Sequence, residues 1–169
     1  MEIDLGLVTE QAFKKVPGWW PRAYISLLLF KDLKESNYVA PPYSLRRKCK
    51  EYGIGKSTLY KGLNTLINEG LIRKINSLYV LTVDGFKLLT ILEEFEKMVR
   101  ALTQHVGMDK LIEELDRVKD ITITKLNDVK KTSFVENAIT FVGSYIEIMK
   151  SLIREIIKVR KIDSMIPQL

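Results

Sequence analysis

The thirty residues from Gly53 to Thr82, GIGKSTLYKGLNTLINEGLIRKINSLYVLT, leave the backbone little choice. Leu59, Leu63, Leu66 and Ile67 fall at steps of 0, 4, 7 and 8, one apolar face of a helix from about Lys56 to Glu69. Gly70 stands where a positive φ closes a helix. Leu71 to Ile75 and Leu78 to Leu81 then read as two strands around the tight turn Asn76-Ser77, and Asn tolerates the backbone such a turn requires. Upstream, Gly53-Ile54-Gly55 is a turn with Ile54 as its apolar plug, and Leu45 to Tyr52 is a short basic helix with Leu45 and Cys49 facing inward and Ser44 as N-cap.

The outer face of the 56–69 helix carries Ser57, Lys61, Asn64 and Asn68, with Thr58 and Thr65 beside them. All can hydrogen-bond and only one is charged, which suits a helix that reads base edges in a major groove. The surrounding charge is equally specific. Residues 44–76 hold Arg46, Arg47, Lys48, Lys50, Lys56, Lys61, Arg73 and Lys74 against Glu51 and Glu69, a surplus of six that equals the formal net charge of +6. Elsewhere 19 basic residues meet 19 acidic ones. Phosphate contacts supply affinity without sequence information, and base contacts supply specificity. The DNA-facing candidates are therefore Arg46, Arg47, Lys48, Lys56, Ser57, Thr58, Tyr60, Lys61, Asn64, Arg73, Lys74 and Asn76. The competing reading is a fold of this kind used for protein contacts, with the polar face as ordinary solvated surface. Gly55-Lys56-Ser57-Thr58 has the ending of a phosphate-binding loop, but the glycine required five positions earlier is Lys50 and no buried strand precedes it.

The flanking segments read as helices and loops. Thr9 to Val16 is a short helix capped by Thr9 and ended by Pro17-Gly18; Ala23 to Leu33 is a largely buried helix; Ser36 to Pro42 is a loop. Of the adjacent Trp19 and Trp20, one is expected in the core and the other at a partner contact or a pocket wall. Thr82 caps a helix through Leu88, Ile91, Leu92, Phe95, Val99 and Leu102, Gly107 interrupts it, and Asp109 restarts it. Residues 120–132 are ambiguous, read as helical or kinked. Ser133 and Glu136 form a capping box for a last helix ending near Lys161, roughly 40 Å long at about 1.5 Å per residue. Its stripe of Val135, Ala138, Val142, Tyr145, Met149, Leu152, Ile156 and Val159 alternates steps of three and four, widened by Ile139, Ile146 and Ile153. A stripe so long exceeds what a small domain covers by itself. Val135, Val142, Tyr145, Met149, Leu152, Ile156 and Val159 are the dimerisation candidates, although burial against residues 87–131 of the same chain would use the same face.

Other classes lack residues. A single Cys49 forms no intrachain disulfide, and with His105 the lone histidine there is no support for a metal site or a Cys-His nucleophile. Asp109, Glu113, Glu114 and Asp116 read as a solvated acidic face, so no catalysis, cofactor or metal is expected. No apolar run reaches the length of a membrane span or a signal peptide, and a cytoplasmic location is expected. Nothing in the residues indicates a small-molecule effector. Plentiful Ile, Lys and Glu with scarce Gln fit a heat-adapted, thermophile source.

Ser57-Thr58-Leu59-Tyr60, Leu63, Leu66, Glu69-Gly70-Leu71-Ile72, Tyr79, Leu81-Thr82 and Gly85 together resemble the PadR-like family of winged-helix transcriptional regulators, and more loosely the wider MarR-like group. The resemblance covers about residues 22–90. It implies a homodimer joined by C-terminal helices, a reading helix at 56–69 and a wing at 71–82; this wing is shorter than usual, and the 107–169 tail is longer than the minimal family tail. The expectation is a mainly α chain: a winged helix-turn-helix DNA-binding domain over 1–86 with a two-stranded wing, then a helical, coiled-coil dimerisation domain over 87–169. Its expected role is a sequence-specific regulator of transcription, a repressor, on double-stranded DNA. A DNA-coating or partition protein of low sequence preference, or a protein–protein adaptor, are the alternatives.

Overall fold

The computed structural model describes residues 3–166. Its elements run α1 (Leu5–Phe13), α2 (Trp19–Leu28), β1 (Val39–Ala40), α3 (Pro42–Tyr52), α4 (Lys56–Asn68), β2 (Ile72–Ile75), β3 (Leu78–Leu81), α5 (Val83–His105), α6 (Met108–Asn127) and α7 (Ser133–Met165). Helix makes up 74% of the chain, with one small antiparallel sheet of order β1-β3-β2.

Local signals set most boundaries. Gly53 and Gly70 end α3 and α4 with φ of 67° and 75°, the left-handed conformation that glycine adopts without penalty. Asn76 takes φ 54° at the hairpin turn, which sets Ile75 opposite Leu78 and Ile72 opposite Leu81. The Thr82 hydroxyl donates to the Gly70 carbonyl at 2.8 Å and accepts from the Gly85 N–H at 3.1 Å. One side chain thus closes the base of the hairpin and caps α5.

Several expectations are corrected. The first helix begins at Leu5, because the Asp4 carboxylate, not Thr9, accepts from the first turn at Leu7 N. Thr9 lies inside α1 and donates to the Leu5 carbonyl. α2 starts at Trp19 and ends at Leu28, not over 23–33. α3 starts at Pro42, before Ser44, since proline fits the first helical position where no N–H is needed. The expected 36–42 loop contains β1, so the sheet has three strands, not two. Asn37 and Tyr38 adopt φ of 55° and 58°, and the Tyr38 carbonyl accepts from Leu81 N at 3.1 Å, which brings β1 beside β3. α6 continues to Asn127, placing the break of the ambiguous segment at 128–132. Thr132, not Ser133, caps α7, accepting from Val135 N at 3.3 Å, and the helix runs four residues beyond Lys161 to Met165.

α4 packs chiefly on α2. A methyl group added at Gly62 would overlap the Ser26 hydroxyl and the Arg22 carbonyl, so the two helices meet at backbone distance. The other side of α2 belongs to an aromatic cluster. Trp20 lies 5.0 Å from the rings of Tyr24 and Phe141 and 5.3 Å from Phe134, and its Nε1–H donates to the Phe134 carbonyl at 3.0 Å. α1 also packs on α7, through a stacked Phe13–Phe141 pair at 5.4 Å. The boundary expected between 86 and 87 falls inside α5, and buried residues continue across it from Val8 to Ile153. α6 packs on both α5 and α7, Phe95 of α5 meets Tyr145 of α7 at 5.4 Å, and Lys150 Nζ donates to Asp116 at 2.9 Å and Glu147 at 3.2 Å.

Gly62→Ala should destabilise the chain by about 1–3 kcal/mol, the usual cost of overpacking a tight contact, measured as a shifted urea midpoint at unchanged slope. A midpoint within error of the native chain would mean that α2 and α4 do not meet at this distance.

Candidate nucleic-acid interface

The two helices α3 and α4 and the β2–β3 hairpin follow one another with only the Gly53–Gly55 turn and the Glu69–Leu71 link between them. Leu45 and Cys49 bury one side of α3, and Leu59, Gly62, Leu63 and Leu66 bury one side of α4, while Ile67 is half-buried. The opposite side of α4 presents Lys56, Ser57, Lys61, Asn64 and Asn68 to solvent, with Thr58 and Tyr60 half-exposed at its margins. Gly55 caps α4 with backbone alone, so no side chain occupies the N–H groups of its first turn. Those groups are suited to an anion.

The basic residues divide into two kinds. Arg46 and Arg47 are exposed on α3, and the Arg47 guanidinium lies 5.9 Å from the ring centre of Tyr43. Tyr43 is itself 59% exposed at the start of the helix. Arg73, Lys74 and Asn76 are exposed on the hairpin, where Lys74 Nζ sits 5.6 Å from the Tyr79 ring centre. Lys48 differs: its Nζ donates to the Leu29 carbonyl at 3.3 Å, and the side chain is half-buried. Its charge faces the C-terminal end of α2, where a cation is favoured. Lys48 is therefore a tie between α3 and α2 in this structure, set apart from the other basic candidates. Sequence inspection passed over Tyr43 and kept Lys50, exposed at the end of α3, out of the candidate set. The placement of Arg47 one helical turn from Tyr43 is the signal that could have found the former.

The ion pairs underline the division. Every one among the described residues joins groups between Glu94 and Lys158, on α5, α6 and α7. The basic side chains of 44–76 have no carboxylate partner among the described residues. The half-exposed Thr65 hydroxyl donates to the Lys61 carbonyl at 3.1 Å, one turn earlier on the same helix.

The dimerisation candidates separate as well. Val135, Val142, Tyr145 and Met149 are at most 6% exposed within a single chain, covered by its own helices, so they offer no surface to a partner in this packing. The stripe is wide enough for α7 to be buried where α1, α2 and α6 surround it. Leu152 and Ile156 are half-exposed and Val159 is 47% exposed, because those neighbours end before them.

Compared with known proteins, the chain matches no family model, no curated protein and no solved structure. No helix among the described residues is long and apolar enough to cross a membrane.

Replacing Arg46 or Arg47 by Ala should leave stability within about 0.5 kcal/mol, as expected for solvated side chains. Lys48→Ala should cost roughly 1 kcal/mol through loss of a charged hydrogen bond. Thermal melts of the three variants check this, and equal melting temperatures would return Lys48 to the solvated set.

Proposed function

We propose that this chain is a sequence-specific, double-stranded-DNA-binding regulator of transcription, a repressor, built on a winged helix-turn-helix unit and acting as a homodimer. The observation that carries the reading is a concentration of basic side chains, without a carboxylate partner among the described residues, around an outer α4 face of hydrogen-bonding groups. In this reading α4 lies in the major groove, where Ser57, Thr58, Lys61 and Asn64 meet base edges. Arg46, Arg47 and Lys56 hold phosphates, and the first-turn amides of α4 add an uncharged donor set for the same backbone. Arg73, Lys74 and Asn76 bring the short wing to the adjoining strand. The motif residues that resemble the PadR-like family lie in this unit, which lends the reading further support.

The dimer in this proposal uses only the distal part of α7. From Leu152 onward the chain carries Leu152, Ile156, Val159, Ile162 and, just past the end of α7, Ile166 at steps of three and four, and the last three are 47–60% exposed. A second copy along this segment would exclude them from water and set two α4 helices on neighbouring major-groove faces, about 34 Å apart.

Lys61→Ala combined with Asn64→Ala should weaken binding to a selected duplex at least tenfold while the melting temperature holds. Discrimination between that duplex and random DNA should shrink with it. Unchanged discrimination would remove α4 from the reading role and favour the DNA-coating alternative, and no binding at low salt by the native chain would favour the adaptor. Val159→Glu should convert dimers to monomers in sedimentation equilibrium, and an intact dimer would take the distal segment out of that role.

A further inference from the structure

A cavity of about 270 Å³ lies between α1, α2, α5 and α7, with Tyr52 at the end of α3 on its wall. Its lining is dominated by the rings of Phe13, Tyr24, Phe95, Phe141 and Tyr145. An apolar cavity of roughly 150 Å³ already holds a benzene ring. This one has room for a ring with a short substituent. It is not lined by carbon alone, because the Glu96 and Arg100 side chains also reach it from α5.

The charge of a suitable substituent follows from these groups. Glu96 and Arg100 pair with each other at 3.0 Å, 41% and 59% exposed. An exposed pair spaced four residues along a helix contributes little free energy, so an incoming cation can take the place of the guanidinium on Glu96. Burial first, then Glu96, pushes the Tyr24 hydroxyl far above its ordinary pKa. Tyr145 is raised in the same direction, chiefly by burial, with Glu96 adding to it. A cavity with several ring faces and a carboxylate at its edge favours an ammonium group, which ring quadrupoles attract, over a carboxylate.

We propose that this cavity binds a small aromatic amine, with its ring among Phe13, Phe95 and Phe141 and its ammonium group on Glu96. The site needs neither DNA nor a second copy, so its test stands apart from the proposed function.

Isothermal titration of the full chain with phenethylamine tests the site, with phenylacetate and butylamine as controls. Saturable binding at one molecule per chain is expected, with an affinity on the order of 1 mM or tighter for so small a ligand. The acid and the ringless amine should bind about tenfold more weakly. Phenethylamine should also change the fluorescence of Trp20, whose ring stacks on Tyr24 at 5.0 Å. Glu96→Gln should weaken phenethylamine about tenfold and leave phenylacetate unimproved relative to butylamine. Absence of saturable binding, equal affinity for acid and amine, or an unaltered affinity in Glu96→Gln would overturn the proposal. Should that variant fail to fold, the three ligands on the native chain still decide it.

Discussion

Helix α2 holds the molecule together because it is shared. One side accepts α4 at backbone distance, a contact that depends on the missing side chain of Gly62 and the small Ser26. The other side enters the aromatic cluster through Trp20 and Tyr24, and the indole N–H is satisfied by the Phe134 carbonyl at the start of α7. A buried indole without that acceptor would lose the hydrogen bond that makes its burial tolerable. The orientation of α4 is thereby fixed relative to the long C-terminal helix through one intermediate helix. Any force that shifts α2 against α7 is felt at α4, since the packed interior transmits strain.

Charge is distributed along the same division. Every ion pair among the described residues lies on α5, α6 and α7, including that of the buried Lys150 with Asp116 and Glu147. In α3, α4 and the hairpin the basic side chains have no carboxylate partner among the described residues; Arg47 and Lys74 lie by aromatic rings and Lys48 by a carbonyl. Unpaired like charges on one surface raise the free energy of the isolated chain slightly through mutual repulsion. A polyanion relieves that repulsion, which is why the arrangement supports a nucleic-acid reading better than a count of charges does.

Much of this was legible in the sequence, and the reasons differ by element. Leu59, Leu63 and Leu66 announced α4 because their spacing matches a single buried face. Gly70 and Asn76 announced the hairpin because few residues tolerate a positive φ. The third strand was not legible. β1 is two residues long, next to two prolines, and it forms because Tyr38 accepts a left-handed backbone that its residue type does not favour. Asp4 and Thr132 took the cap positions expected for Thr9 and Ser133, a local competition that only the surrounding packing decides. The site shows the same limit. Exposure of Ser57, Lys61 and Asn64 followed from periodicity, whereas the engagement of Lys48 with Leu29 depends on a helix 19 residues away. Likewise the α7 stripe was evident, but periodicity could not separate the part covered by the chain itself from the part left bare.

The central claim is that this surface reads DNA sequence. Selecting bound duplexes from a random pool at near-physiological salt tests it most directly. The account predicts one enriched, near-palindromic motif whose half-sites lie about 10 base pairs apart, the spacing of two reading helices on one face of the duplex. A pool that is retained without any enriched motif, or that is not retained at all, would contradict it.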